Sequence, residues 1–272
     1  MKYKLIVSDL DDTLLNDNLI ISDKNRQAVA DYIAAGGVFT IATGRMTKPM
    51  LDICKDLHLR GEAISYQGAV VTDVFSGRTV EETGIPNAVA LELCHYLDKL
   101  NVYYQVYEGS KIHIKRLTSW SELYKKFCDC PFYEHGENLI GYIKNKGFHP
   151  VKILLMEDPL FIGGHISDLT EAFGKDLLVN TSKKWLIEMV NKKINKGTAV
   201  AGIAKRLGIS REEVICIGDS SNDLSMIEYA GLGVAVQNGD PVLKQLADYV
   251  CPSNNEDGVA HVIYKFGLEE TI

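Results

Sequence analysis

Short uninterrupted apolar runs recur along this chain, and several stop abruptly at small or acidic residues. Leu5-Ile6-Val7 runs into Ser8-Asp9, Val38 to Ala42 into Thr43-Gly44-Arg45, and Val214 to Ile217 into Gly218-Asp219. Runs of this kind, bounded by turn residues, predict strands buried on both faces. Between them the apolar spacing becomes helical. Ser22 stands as an N-cap for a helix over 23–35, with Ala28, Val29, Tyr32 and Ile33 on one face and Gly36-Gly37 as the stop. A second helix is predicted over 47–57 and a third strand over 62–65. Strand and helix in alternation with short joints predict a parallel sheet covered by helices.

The pattern changes after residue 68. Residues 69–82 read as a hairpin about Ser76-Gly77, then 87–100 as a helix, and 102–115 as a second hairpin about Gly109-Ser110. Residues 116–150 are polar and aromatic without a clear period. A strand over 151–156, a helix over 159–173 and a strand pair over 177–180 and 185–189 follow. This middle stretch predicts an antiparallel sheet with helices.

Past residue 190 the first pattern returns. Helices are predicted over 197–207, 223–230, 240–246 and 257–266, with strands over 214–217, 232–236 and 248–251. Ser210-Arg211-Glu212-Glu213 has capping-box spacing, but the strand that follows leaves room for a single turn. The organisation is therefore a parallel α/β domain built from both ends of the chain, with an α+β unit inserted between them.

Composition adds little to this picture. Hydrophobic residues make up 46% of the 272 residues and charged residues 24%, as in ordinary globular proteins. The net charge of −7 argues against a nucleic-acid partner. No run has the length of a signal peptide or a membrane span. The six cysteines form no CxxC pair, and Cys128-Asp129-Cys130 lacks the second ligand pair of a zinc site. Reduced thiols and a cytoplasmic location are expected.

Chemistry enters at the strand ends, where open parallel sheets bind their ligands. Those ends carry Asp9 and Asp11, Thr43, and Asp219 and Asp223. In an extended segment Asp9 and Asp11 would face the same way, with Leu10 turned aside. Carboxylates crowded together need a counter-charge, and Mg2+ takes a few oxygen ligands while keeping several waters. Asp219 and Asp223, four apart at the opening of a helix, can meet the same ion. Each stretch also has a plain reading as N-cap and turn chemistry.

Taken together, the stretches resemble a known family. Asp9-Leu10-Asp11-Asp12-Thr13 matches the DxDxT motif of the haloacid dehalogenase superfamily. Ile41-Ala42-Thr43-Gly44-Arg45 resembles its second motif, Lys196 in Asn195-Lys196-Gly197 its third, and Gly218 to Asp223 its fourth, in the GDxxND form. The order is the family's. Gly233 to Asn238, Asn255 to Ala260 and the position of the insert resemble the Cof-type, subclass IIB phosphatases. The resemblance covers the core and is weak across 85–187. Two departures stand out: Gln67-Gly68-Ala69 where Asn-Gly-Ala is common, and Asn238-Gly239 where Asn-Ala is common.

The resemblance implies an α/β fold with a Rossmann-like parallel-sheet core, residues 1–84 and 188–272, and an inserted α+β cap, 85–187, that reads the leaving group. It implies Mg2+-dependent hydrolysis of phosphate monoesters of small metabolites, sugar phosphates or similar, through an aspartyl-phosphate. Asp9 is then the nucleophile and Asp11 the general acid, later the general base. Thr43 and Lys196 contact the phosphoryl group, with backbone N–H groups near Leu10 and Gly44. Asp9, the carbonyl of Asp11, Asp219 and Asp223 hold the ion. Asn222 orients Asp223 or touches phosphate. An acid at position 11 favours ester cleavage, since a halide leaves without a proton.

Several residues keep a second reading. Thr43 is also a plausible N-cap, Lys196 a solvated helix-start lysine and Asn238 a turn residue. Arg45 either supports the phosphate site or pairs with an acid. Tyr107, Glu108, His113, Lys115 and Trp120 are either substrate contacts or parts of the fold. A phosphomutase or phosphotransferase would use the same groups, and a non-catalytic phospho-acceptor or metabolite-binding module is the remaining alternative.

Overall fold

The computed structural model describes residues 1–126 and 130–269, so Cys128 and Asp129 lie outside the described residues. The chain divides into two compact units: Met1–Glu81 with Asn195–Ile272, and Glu82–Ile194. The first unit opens with β1 (Leu5–Ser8), a helical turn over Leu10–Leu14, α1 (Asp23–Ala34), β2 (Val38–Ile41), α2 (Thr47–Asp56), β3 (Glu62–Ser65) and β4 (Val70–Asp73), and β5 (Thr79–Glu82) runs to the boundary. The Ser22 hydroxyl caps α1 by accepting from the Asn25 N–H at 3.1 Å.

The inserted unit holds α3 (Asn87–Leu100), β6 (Tyr103–Glu108), β7 (Lys111–Ile114), α4 (Ser119–Lys125), β8 (Phe132–Glu134), α5 (Leu139–Lys146), β9 (Lys152–Met156), α6 (Pro159–Phe173), β10 (Leu177–Lys183) and β11 (Leu186–Asn191). Its six-stranded sheet has the order β10-β11-β9-β6-β7-β8. Neighbours pair antiparallel except β7 with β8, which run parallel. Tyr104, Val106, Ile153, Leu155, Ile187 and Met189 alternate onto one face and pack on Leu93, Leu97, Ile143 and Leu169 of α3, α5 and α6. The patternless stretch 116–150 resolves into α4, β8 and α5. Each is too short for a period to emerge. The expected joint at 187/188 falls inside β11, and the compact unit continues to Ile194.

The chain then returns with α7 (Lys196–Leu207), β12 (Val214–Gly218), α8 (Leu224–Tyr229), β13 (Leu232–Val236), α9 (Pro241–Leu246), β14 (Tyr249–Cys251) and α10 (Gly258–Val262). Five strands form a parallel sheet in the order β14-β13-β12-β1-β2. Its two faces explain the uninterrupted apolar runs. Ile6, Ile215 and Ile217 pack with Val29 and Tyr32 of α1 and Val259 of α10. Leu5, Val7, Val214 and Cys216 pack with Val200 and Ile203 of α7 and Met226 of α8. Successive residues of β1 therefore enter different cores.

β3 departs from the expected parallel sheet. It touches that sheet through one isolated parallel bridge, Ala42 to Ile64, and forms a separate antiparallel sheet ordered β3-β4-β5. The Thr40 hydroxyl donates to the Glu62 carbonyl at 2.5 Å, and the Thr43 N–H to the Ile64 carbonyl at 3.0 Å. Cys54, Cys94, Cys216 and Cys251 are free and buried, and Cys130 is buried as well. Among the described residues, no helix is long and apolar enough to cross a membrane.

Candidate active site

β1 and β12 lie side by side with Ser8 opposite Ile217, so the residues that follow them emerge together. The Asp9 N–H donates to the Ile217 carbonyl at 2.9 Å, which fixes Asp9 against the end of β12. Asp219 follows β12 directly. The Ala42 N–H donates to the Ser8 carbonyl at 3.0 Å, placing Thr43 on the other side of β1. The expected gathering at the carboxyl edge is a consequence of strand order.

Lys196, the first residue of α7, reaches into this edge. Its Nζ lies 2.6 Å from Asp9 Oδ1 and 2.6 Å from Asp223 Oδ1, and its side chain is 0% exposed. The reading of Lys196 as a solvated lysine is therefore wrong. α7 starts one residue earlier than predicted because the Asn195 side chain caps it, accepting from the Thr198 N–H at 2.8 Å.

Asp223 is held by backbone. Its Oδ2 accepts from the N–H groups of Asp219 at 3.0 Å and Ser220 at 3.1 Å. Gly218 permits this approach, since a Cβ there would stand 2.5 Å from Asp223 Cβ and Cγ. Asn222 does not orient Asp223. It is exposed, and its Oδ1 accepts from the Ser220 hydroxyl at 2.8 Å. Thr13 donates to Asp219 Oδ1 at 3.0 Å. The sequence reading missed that role, although Thr13 closes the DxDxT motif.

Carboxylate oxygens of Asp9, Asp219 and Asp223 lie within 4.8 Å of one another. Three carboxylates face one ammonium in a buried setting, and the electrostatics record the imbalance. Burial raises Asp9 well above the usual carboxylate range; Lys196 pulls it down, while Asp223 and Asp219 push it up. Burial and then Asp223 push Asp219 up to about 6, against Thr13 and Lys196. Burial alone would lower Lys196, but Asp223 and Asp9 outweigh it and keep the ammonium charged. An all-oxygen donor set with surplus negative charge fits a hard divalent cation.

Asp11 stands apart from this cluster. β1 ends at Ser8, and Leu10 begins a helical turn in which Asp12 takes a left-handed φ of 57°. The simple alternation of an extended strand therefore stops before Asp11. Its carboxylate is gripped by Arg45, Nε to Oδ2 at 2.9 Å and a terminal NH2 to Oδ1 at 2.5 Å. This answers the question about Arg45. Thr43 is 1% exposed, and its Oγ1 accepts from the Arg45 N–H at 3.1 Å; it is not an N-cap, since Met46 holds that position before α2. Asn238 also does more than make a turn: its Nδ2 donates to the Asp12 carbonyl at 2.8 Å.

Residues 6–263 match the family described as haloacid dehalogenase-like hydrolase. The chain belongs to this hydrolase family. It is 31% identical over 261 residues to a Bacillus subtilis protein named 5-amino-6-(5-phospho-D-ribitylamino)uracil phosphatase YcsE, covering 96% of this chain and 94% of the relative. The crystal structure of TM0651 from Thermotoga maritima superposes with a TM-score of 0.88 at 30% identity, covering 97% of each chain. A structure described as the subclass IIB sugar phosphatase BT4131 superposes at 0.80 with 21% identity, covering 97% of this chain and 99% of that one, a likeness of fold.

Of the candidate contacts in the inserted unit, Tyr107 donates to Gln105 Oε1 at 2.6 Å, and Lys115 bridges Asp98 and Glu137 at 2.9 and 3.1 Å. His113 is buried between Glu108 at 3.1 Å and His135 at 2.9 Å. Trp120 stacks on Trp185. Each has a partner within the unit's own fold.

Proposed function

We propose that this protein is a Mg2+-dependent phosphatase of small phosphorylated metabolites that works through an aspartyl-phosphate on Asp9. The observation that carries the reading is the buried cluster of Lys196 with Asp9, Asp219 and Asp223, at the sheet edge where Asp11 and Thr43 also emerge. Family membership and relatives named as phosphatases support it.

In this reading an Asp9 oxygen attacks phosphorus, and the ester oxygen leaves with a proton from Asp11. Water then attacks the phosphoryl group, Asp11 takes its proton, and Asp9 leaves as a carboxylate. Lys196 holds Asp9 in place and offsets negative charge on the transferring group. Thr43 and the N–H groups of Leu10 and Gly44 form the phosphate cradle, with Asn222 at its rim. Asp9, Asp219, Asp223 and the backbone carbonyl of Asp11 would hold Mg2+, which when bound would neutralise charge on the phosphoryl oxygens.

Arg45 adds a constraint. Both oxygens of Asp11 are engaged, so the proton donor is parked until that pairing opens. The two side chains are 44% and 29% exposed. The pair is bidentate and charge-assisted, so its opening is a step of its own before proton transfer. We assign leaving-group preference to the inserted unit. Free thiols at Cys54, Cys94, Cys216 and Cys251 fit a cytoplasmic setting.

The test is phosphate release from a panel of phosphorylated sugars, polyols and nucleotides with Mg2+, comparing the native chain with Asp9→Asn. Release by the native chain and its loss by roughly a thousandfold or more in the variant are expected. Equal turnover in a clean preparation of the variant would remove Asp9 as the nucleophile.

A further inference from the structure

Three successive residues, Tyr66, Gln67 and Gly68, hold φ values of 52°, 59° and 107°. Glycine adopts such backbone freely, but residues with a β-carbon resist it. The turn they form touches two parts of the site that are distant in sequence.

On one flank, the Tyr66 N–H donates to the Arg45 carbonyl and the Gln67 N–H to the Thr43 carbonyl, both at 3.0 Å. The Gln67 carboxamide lies over Gly44, where a Cβ would stand 2.3 Å from Gln67 Nε2. On the other flank, Gly68 abuts the start of α7. A Cβ at Gly68 would stand 2.4 Å from the carbonyl oxygen of Asn195, the residue before Lys196. The turn is thus wedged between the loop that carries Thr43 and the cap that presents Lys196.

Gln67 is a poor choice if stability alone mattered. Glycine or asparagine suits a left-handed position better. Moreover, Gln67 Oε1 is buried and accepts no hydrogen bond among the described residues. Strained backbone and an unsatisfied buried acceptor both oppose folding, and such features persist where a site requires them.

We propose that Tyr66-Gln67-Gly68 is a positioning bracket that sets the Thr43–Arg45 loop against Lys196, with the Gln67 carboxamide fixing the Gly44 peptide. The proposal deepens the phosphatase reading and rests on it. Gln67 acts through Gly44 and is a positioning residue. The chain's departure from the common Asn-Gly-Ala pattern lies at this residue.

The test uses the full chain and two variants, Gln67→Gly and Gln67→Asn. Melting temperature is measured together with Mg2+-dependent hydrolysis of p-nitrophenyl phosphate and calorimetric binding of inorganic phosphate. Gln67→Gly relieves the strained φ, so its melting temperature is expected to equal or exceed the native value. Its kcat is expected to fall about 10- to 100-fold, the scale of a small misplacement in an active site, with KM within about twofold. Gln67→Asn, which keeps a carboxamide, is expected to recover at least a third of the native kcat. A Gln67→Gly kcat within twofold of native, or a rate loss that follows a loss of melting temperature, overturns the bracket. If the native chain hydrolyses no ester, the phosphatase reading fails and inorganic phosphate decides the bracket. Weakening of phosphate binding by fivefold or more in Gln67→Gly then supports it, and unchanged affinity, or no binding by the native chain, overturns it.

Discussion

Lys196 Nζ stands 2.6 Å from Asp9 Oδ1, although 187 residues separate them in sequence. The same ammonium contacts Asp223 at 2.6 Å, so one cation stabilises two buried carboxylates. Removing it would leave both uncompensated. Lys196→Met is expected to destabilise the fold by about 3–5 kcal/mol, the usual effect of breaking a buried pair from one side. Turnover should fall with it, and Mg2+ should restore part of the stability. Urea titration with and without Mg2+ checks this; a variant as stable as native would mean that the carboxylates take protons at no cost.

The raised carboxylates set a pH dependence for the metal-free protein. Asp219 is pushed up to about 6, chiefly by burial and then by Asp223. An unfolded aspartate titrates near 3.9, so between about pH 4 and 6 the folded state binds more protons than the unfolded one. Stability in chelator is therefore expected to decrease as pH rises through that window. A divalent cation takes the deprotonated form, so its affinity should increase through the same window. Melting temperatures between pH 4 and 7, with EDTA and with Mg2+, test both signs. A rise with pH in EDTA would contradict the assignment.

Gly218 is open to a more local test. The Cβ of Gly218→Ala would meet Asp223 at 2.5 Å, and Asp223 is pinned by two N–H groups and Lys196. Overpacking of this kind typically costs about 1–3 kcal/mol. Weaker Mg2+ binding by calorimetry is expected alongside the loss of stability. Unchanged metal affinity would show that Asp223 is not a ligand.

Substrate choice is expected to travel with residues 82–194. Replacing that unit with the corresponding unit of a relative of known preference should transfer the preference and leave the Asp9 requirement intact. A chimera that keeps the native ranking of esters would place selectivity in the first unit.

The parallel sheet was legible because both of its faces are buried, which leaves uninterrupted apolar runs in β1, β2 and β12. The acids at their ends were legible for the same reason, since strand order brings Asp9 and Asp219 together. Asp11 was harder: the helical turn at Leu10 breaks the strand alternation, and only side-chain geometry reveals its grip by Arg45. β3 was misplaced because a local apolar run carries no information about which neighbour it pairs with. Within 116–150, α4, β8 and α5 are each shorter than the window in which a period becomes visible. Asn222 is expected to orient Asp223 or touch phosphate, and the first of these tasks falls to the backbone of Asp219 and Ser220; main-chain donors leave no trace in residue identity.

The turn that carries Asp11 is fastened late. Asn238 holds the Asp12 carbonyl from 226 positions downstream, and Asn254 holds the Leu15 carbonyl from 239. At translation speeds of about 5–20 residues per second, a nascent chain waits roughly ten to fifty seconds between displaying Asp9 and gaining these fastenings. Until Asn238 and Asn254 have left the ribosome, the segment that follows Asp9 lacks both anchors, so its final geometry is expected only after nearly the whole chain has been made.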